Sequence, residues 1–362
     1  MTRRNTREST QRPGSTEAQH GFKVVAMGGG TGLSTLLKGL KWYVQKPGEN
    51  TPVGPFLSQL SAVVTVSDDG GSSGKLRKEF NVVAPGDLRN CIVALSEDEA
   101  LLSRLFQFRF PVESALSGHS FGNLFLTALS QLTGDFGKAV ELSSAVLKTR
   151  GTILPATTAN VSLEALMHDG SRVRGETQIH GSDKRIAELR LVPENAQPMP
   201  QTLDALADAD LITIGPGSLF TSLIPNLLVR GIVDAISRSP ALKVFVCNLM
   251  TEANESLGLT AAGHIRALYK HAGRPIFDYA FINQHPVSEE MAAKYALEGA
   301  CQITADIAEI EALGVTPIMG DFLVEGEMVR HATDRVAVGL MRLLGEMRPE
   351  AGFKAAAKTH ES

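Results

Sequence analysis

Cysteine is scarce in this chain, and that scarcity removes two classes of function. The three cysteines, Cys91, Cys247 and Cys301, are odd in number, far apart and without CxxC spacing, which argues against a disulfide framework and against a zinc centre. They read as buried structural thiols. Long apolar runs are also missing. No stretch approaches the ~20 apolar residues of a spanning helix, and the arginine-bearing opening MTRRNTRESTQRPGSTEAQH lacks the apolar centre of a secretion signal. The expectation is a cytoplasmic protein with no membrane insertion. No dense basic run occurs in the body, and the net charge is −4, so a nucleic-acid partner is not expected. A small ligand or a nucleotide fits better.

What the chain does have is enough apolar residue, 43% of 362 positions against 20% charged, to bury a large core. Residues 1–20 contain no aromatic or branched apolar residue and are expected to form a disordered tail. From Phe22 onward, β-branched runs alternate with amphipathic stretches: KVVAM (23–27), SAVVTVS (61–67), LITI (211–214), KVFVCNLM (243–250) and FDYAFINQ (277–284) are separated by helical patterns. That rhythm predicts an α/β fold with a mostly parallel sheet covered on both faces. Residues 152–192 alternate branched and polar residues around an Asp-Gly turn, the mark of a small antiparallel, β-rich insertion. The organisation expected is a single domain over 21–344 and a flexible tail over 345–362.

The chemistry concentrates where strands give way to helices. After KVVAM come Gly28, Gly29, Gly30, Thr31 and Gly32, and then leucines at helical spacing. Glycine lets backbone approach a ligand, and the helix N-terminus beyond offers free N–H groups to an anion; such a turn can equally be a packing device. The dinucleotide fingerprint is met only in part, because Thr35 takes the place of its third glycine, and no Gly-Lys-Ser/Thr follows to make a Walker loop. A dehydrogenase reading is weaker still. Its ribose-binding acidic residue would have to be Glu49, in the loop QKPGENTPVGP.

Asp68 and Asp69 follow the second strand, with Gly70, Gly71, Ser72, Lys75 and Arg77 behind them. Neighbouring side chains on extended backbone point to opposite sides. One aspartate is therefore expected to face the first turn, where it could accept from a ribose hydroxyl or hold Mg²⁺ through water; the other reading is a helix cap. Lys75 and Arg77 have the charge to neutralise a diphosphate. Asp87 and Asn90 in APGDLRNC, and His119 and Asn123 in SGHSFGN, open two further helices. A second strand-turn-helix unit carries Gly215, Gly217 and Ser218, and Asn248 to Thr251 end the following strand. Tyr295 could stack on a base, and Arg330 beside His331 could pair with phosphate. The apolar stretch from Leu223 to Ile236 suits either a subunit contact in a homo-oligomer or a buried helix.

In this order and spacing, GGGTG, SDDGGSSGKLR, PGDLRNC, GHSFGN and GPGSLFTS resemble the gluconeogenesis-factor family, relatives of 2-phospho-L-lactate transferase. The resemblance runs from about Lys23 to Leu344. It implies a three-layer, Rossmann-like CofD fold and a bacterial cytoplasmic protein that binds a UDP-sugar such as UDP-N-acetylglucosamine. It further implies support of cell shape and wall synthesis on gluconeogenic carbon sources, through a partner in wall synthesis, with no reaction established for that branch. The transferase branch uses the glycine turn and paired aspartates with Mg²⁺ and a guanosine-linked donor; there Asp68 and Asp69 would be catalytic. The resemblance places a diphosphate near Gly29 to Gly32 and Gly217 to Ser218, and suits Tyr295 and Arg330 to holding the UDP-sugar.

Overall fold

The computed structural model describes residues 21–46, 48, 54–97, 101–111 and 113–347. Both expected tails therefore fall outside the described residues, apart from 345–347, which continue a helix. Twelve strands are present among the described residues: β1 (Phe22–Gly28), β2 (Leu57–Val64), β3 (Thr152–Pro155), β4 (Ser162–Met167), β5 (Arg172–Arg174), β6 (Ile186–Val192), β7 (Leu211–Ile214), β8 (Leu242–Val246), β9 (Tyr279–Asn283), β10 (Thr316–Gly320), β11 (Leu323–Glu325) and β12 (Val329–His331). Seven of them form one sheet in the order β10-β9-β8-β7-β1-β2-β3, and every neighbouring pair is parallel. The α/β reading is therefore correct. The central strands are buried on both faces, which is why Val24 to Met27 read as an unbroken apolar run and Leu211 to Ile214 is interrupted only by the buried Thr213.

Strand order fixes where a ligand can enter. From β1 the chain steps outward one way to β2 and β3, and from β7 it steps the other way to β8, β9 and β10. Right-handed crossovers of opposite direction put their helices on opposite faces, leaving a crevice at the carboxyl ends of β1 and β7. On one face lie α1 (Gly30–Leu40) and α3 (Gly86–Leu95), which pack together. The last helix, Thr333–Met347, also packs on α1. Helix α2 (Gly71–Phe80) lies between β2 and α3 in the chain. The apolar stretch 223–236 is not one helix: Ile224–Leu228 and Ile232–Arg238 are separate, and Leu223, Ile224, Leu227, Ile232 and Ile236 are all core residues. The buried alternative holds, and this stretch is not an exposed subunit contact. The helices 219–228 and 232–238 together are apolar enough to span a membrane but are bent by 79°, and no single helix among the described residues is long and apolar enough to do so.

Three boundaries differ from the sequence reading. The strand at 152–155 pairs with β2 as the edge of the main sheet, so the antiparallel insertion is β5-β4-β6, beginning at Ser162. Helix α1 begins within the glycine run, with Gly29 as its N-cap, rather than with the leucines that follow that run. Strand β2 stops at Val64, leaving Thr65 to Asp69 as an extended arm that carries the aspartates beyond the sheet. Cys91 and Cys247 are buried as expected, whereas Cys301 is exposed, because it lies in the irregular segment between two helices.

Arg77 fastens the insertion to that arm. Its guanidinium donates to the carbonyls of Ser67 (2.9 Å) and Asp68 (3.0 Å), to Asn160 Oδ1 (3.1 and 2.8 Å), to Ser162 Oγ (3.3 Å) and to the Val161 carbonyl. With its donors engaged in this way, Arg77 is a structural cation and is not free to neutralise a diphosphate. Replacing it leaves several inward-facing acceptors without donors. Arg77→Met is expected to cost at least about 3 kcal/mol, read as a lower urea midpoint. Arg77→Lys should recover only a minor part, because one ammonium cannot span both sides of the junction. A midpoint unchanged in Arg77→Met would refute this account of the insertion.

Candidate functional site

At the switch point the two glycine turns touch backbone to backbone. A Cβ added to Gly32 would lie 2.4 Å from the Pro216 carbonyl oxygen and 2.8 Å from Gly217 Cα, so only glycine allows the approach. Asn226 braces the pair from below, donating from Nδ2 to the carbonyls of Gly28 (3.1 Å) and Ser222 (2.9 Å). Gly28 and Gly215 close the ends of their strands inside the packing: Gly28 abuts Leu33 and Leu223, and Gly215 abuts the Val246 carbonyl. Above them opens a cleft of about 380 Å³, within the range of small-ligand sites. The N-cap Gly29 has no side chain to cap α1; the Gly30 N–H is taken by Asp87, and the next N–H groups, of Thr31 and Gly32, stand at the cleft wall. The second turn runs into a single π turn, Leu219–Leu223, a local widening often found at functional sites.

Ten of the sequence candidates line this one cleft: Gly29, Gly30, Thr31, Gly32, Gly217, Ser218, Asn248, Thr251, Tyr295 and Arg330. Asn248 Oδ1 accepts from the Gly217 N–H at 3.2 Å, so the end of β8 steadies the second turn. Thr251 Oγ1 accepts from the Cys301 N–H at 2.9 Å. Tyr295 accepts from the Val329 N–H at 3.1 Å, fixing the hairpin β11–β12 that carries Arg330. That hairpin gave no clear strand signal in the sequence because each strand has only three residues. Arg330 itself is exposed, an available cation at the rim. Its neighbour His331 turns inward instead, with Nε2 3.0 Å from the Cys247 carbonyl, and burial pushes its pKa down to about 4; it stays neutral at physiological pH.

The remaining candidates stand behind the first turn. Asp87 backs it directly: a Cβ on Gly29 would come within 2.7 Å of Asp87 Oδ2, and the Gly30 N–H bonds to that carboxylate. Asp68 accepts from the Gly70 N–H at 2.8 Å and lies against Gly86, facing Asp87. Asp69 turns the other way and caps the insertion's helix Glu176–His180, accepting from the Thr177 N–H (2.8 Å) and hydroxyl (2.7 Å). Of the two, Asp68 turns toward Asp87 and Asp69 toward the insertion. The pair diverges, so it offers no joint Mg²⁺ site, and among the described residues no group of three or more His, Cys, Asp or Glu side chains is arranged to hold a metal ion. Gly70 and Gly71 form the start of α2. Ser72 Oγ meets His119 Nδ1 at 3.1 Å, and Lys75 is tied to the Ser117 carbonyl at 3.1 Å. Asn90 accepts from Arg89 at 2.7 Å. Asn123 is buried at the start of its helix, where its N–H donates to Ser120 Oγ. None of these lines the cleft.

Among the cleft residues that escaped the sequence reading, three are polar groups beside the glycine turns. His180 comes from the insertion, Glu252 from the loop after β8, and Ser222 from the π turn. Spacing gave no signal for them, because each reaches the cleft only through tertiary contact. Glu255, behind Glu252, is held by the Phe220 N–H (3.1 Å) and the Thr221 hydroxyl (2.8 Å), with His180 Nδ1 at 3.7 Å.

Carboxylates crowd the floor. Burial, then the charge of Asp68, pushes the Asp87 carboxyl up to about 7. Burial and the charges of Asp68 and Asp87 hold Glu176 well above the ordinary carboxylate range. Since the native state keeps the Asp87 proton at pH values where the unfolded chain has lost it, rising pH from about 4 to about 7 erodes stability through this group. Asp87→Asn keeps an acceptor for Gly30 and removes the charge. It is expected to exceed the parent by about 1–3 kcal/mol at pH 8, the gap closing below about pH 4; urea unfolding at both pH values measures it. A gap independent of pH would contradict this electrostatic reading.

The fold is shared with relatives of known structure. The family described as 2-phospho-L-lactate transferase CofD matches residues 24–323. A Bacillus subtilis protein named gluconeogenesis factor is 45% identical over 325 residues, covering 90% of this chain and 98% of that one. The gluconeogenesis factor of Halalkalibacterium halodurans is 44% identical, covering 88% and 95% of the two chains. A crystal structure of a UPF0052-family protein from Bacillus halodurans superposes with a TM-score of 0.82 at 44% identity, covering 88% of this chain and 99% of that one. The chain belongs to the CofD family, with the gluconeogenesis factors as its relatives.

Proposed function

We propose that this protein is a gluconeogenesis factor of the regulatory kind: it binds a UDP-sugar of the UDP-N-acetylglucosamine type and, when loaded, acts on a partner in cell-wall synthesis to maintain cell shape on gluconeogenic carbon sources. The observation that carries the reading is the meeting of two glycine turns at the sheet's switch point, in one cleft with Tyr295 and Arg330. The N–H groups of Thr31 and Gly32, in the first turn of α1, suit a diphosphate. The guanidinium of Arg330 adds an exposed positive charge, and Tyr295 offers a ring whose hydroxyl is already engaged. The names of the relatives support the role in gluconeogenic growth.

A second reading, a transferase using a guanosine-linked donor, draws on Asp68 and Asp87, which face each other behind the first turn. In that reading Mg²⁺ would arrive with the donor phosphates, with Asp87, which takes the Gly30 N–H, as the aspartate standing against the turn and Asp68 behind it. Isothermal titration with UDP-N-acetylglucosamine, GTP and NAD, each with and without Mg²⁺, separates the two. The regulatory reading expects binding of the UDP-sugar, no product, and at least tenfold weaker binding in Arg330→Ala, about the contribution of one charge-assisted hydrogen bond. Mg²⁺-dependent preference for GTP would overturn it in favour of the transferase.

A further inference from the structure

We propose that Glu252 selects for the glycosyl part of the ligand, its carboxylate accepting hydrogen bonds from sugar hydroxyls; this rests on the UDP-sugar reading above and goes further by naming the residue that recognises the sugar. Glu252 lines the cleft beside the second glycine turn. Its carboxylate bonds to the Ser218 side chain, and Asn248 Nδ2 donates to Oε1 at a long 3.5 Å. The backbone is fixed as well: the Glu252 N–H donates to Ser256 Oγ at 2.9 Å, and its carbonyl accepts from the Glu255 and Ser256 N–H groups. The carboxyl therefore stands in a set position before any ligand arrives, which lowers the entropic cost of using it.

An ionised carboxylate accepts hydrogen bonds and cannot donate them. In a cleft otherwise equipped with donors for an anion, the lone pairs that Ser218 and Asn248 leave open suit ligand O–H or N–H groups. Tyr295 and the apolar Met250 and Ala300 leave the cleft another surface of different character, suited to a flat ring. His180 and Glu252 make a polar, hydroxyl-compatible wall. Burial and the neighbouring Glu255 push Glu252 up to about 7, so donors from a bound sugar would favour its ionised form.

The test is isothermal titration of the full chain and of Glu252→Gln with UDP-N-acetylglucosamine, UDP-glucose and UDP, with thermal melting of both proteins. Glutamine keeps the shape and removes the charge. The expected result is a loss of about tenfold or more for both UDP-sugars, with UDP binding and melting unchanged. Equal loss for UDP and the UDP-sugars, or no loss for any, overturns the role of Glu252 while leaving the UDP-sugar reading intact. Failure of the parent chain to bind any of the three overturns both.

Discussion

The contact of Gly32 with the Pro216–Gly217 backbone is the constraint on which the rest of this site depends. Two turns that end neighbouring strands must come within van der Waals distance without a side chain between them. The sheet supplies the approach, since β1 and β7 are adjacent and parallel, and Asn226 locks it by bonding the carbonyl that ends β1. Once the turns meet, the first N–H groups of α1 and the π turn that follows β7 border the same cleft. The last helix packs on α1 and so carries the preceding hairpin, with Arg330, toward the same rim.

Behind that wall the electrostatics are costly. Asp68, Asp87 and Glu176 share one enclosed region, and burial raises the latter two. Natural proteins accept such a cost where a site needs it. Asp87 does a definite job there, taking the Gly30 N–H and thereby holding the first glycine turn to α3. Arg89 offsets part of the charge of Asp87 and Asp68, while Arg77 is bonded to the insertion and Lys75 to the loop before His119. Arg330, exposed at the rim, is the candidate cation that the cleft itself presents.

The architecture was legible because its signals are local. Apolar runs marked doubly buried strands, glycine runs marked the turns at their ends, and alternation around Asp-Gly marked the insertion. Boundaries were less clear. Gly30 to Gly32 lack helix propensity, and only packing of the following leucines draws them into α1. The strand at 152–155 alternates no differently from the insertion beside it, so its pairing with β2 could not be read from the residues. In the site, the two glycine turns, Asn248, Thr251, Tyr295 and Arg330 were all visible as motif residues. His180 and Glu252 were not, since an insertion helix and an irregular loop bring them in. The reverse error is equally physical: Arg77 has the composition of a phosphate ligand, and only its carbonyl partners reveal a structural role.

The most direct test of the central claim uses protein labelled with ¹⁵N at glycine alone, followed by two-dimensional NMR during titration with UDP-N-acetylglucosamine. The account requires the amide signals of Gly29, Gly30, Gly32 and Gly217 to shift together along one saturating curve, while those of distant glycines such as Gly134 and Gly273 stay in place. Saturable binding that leaves the glycine-turn amides unmoved would contradict it, showing that the ligand is held elsewhere and that these turns serve packing alone.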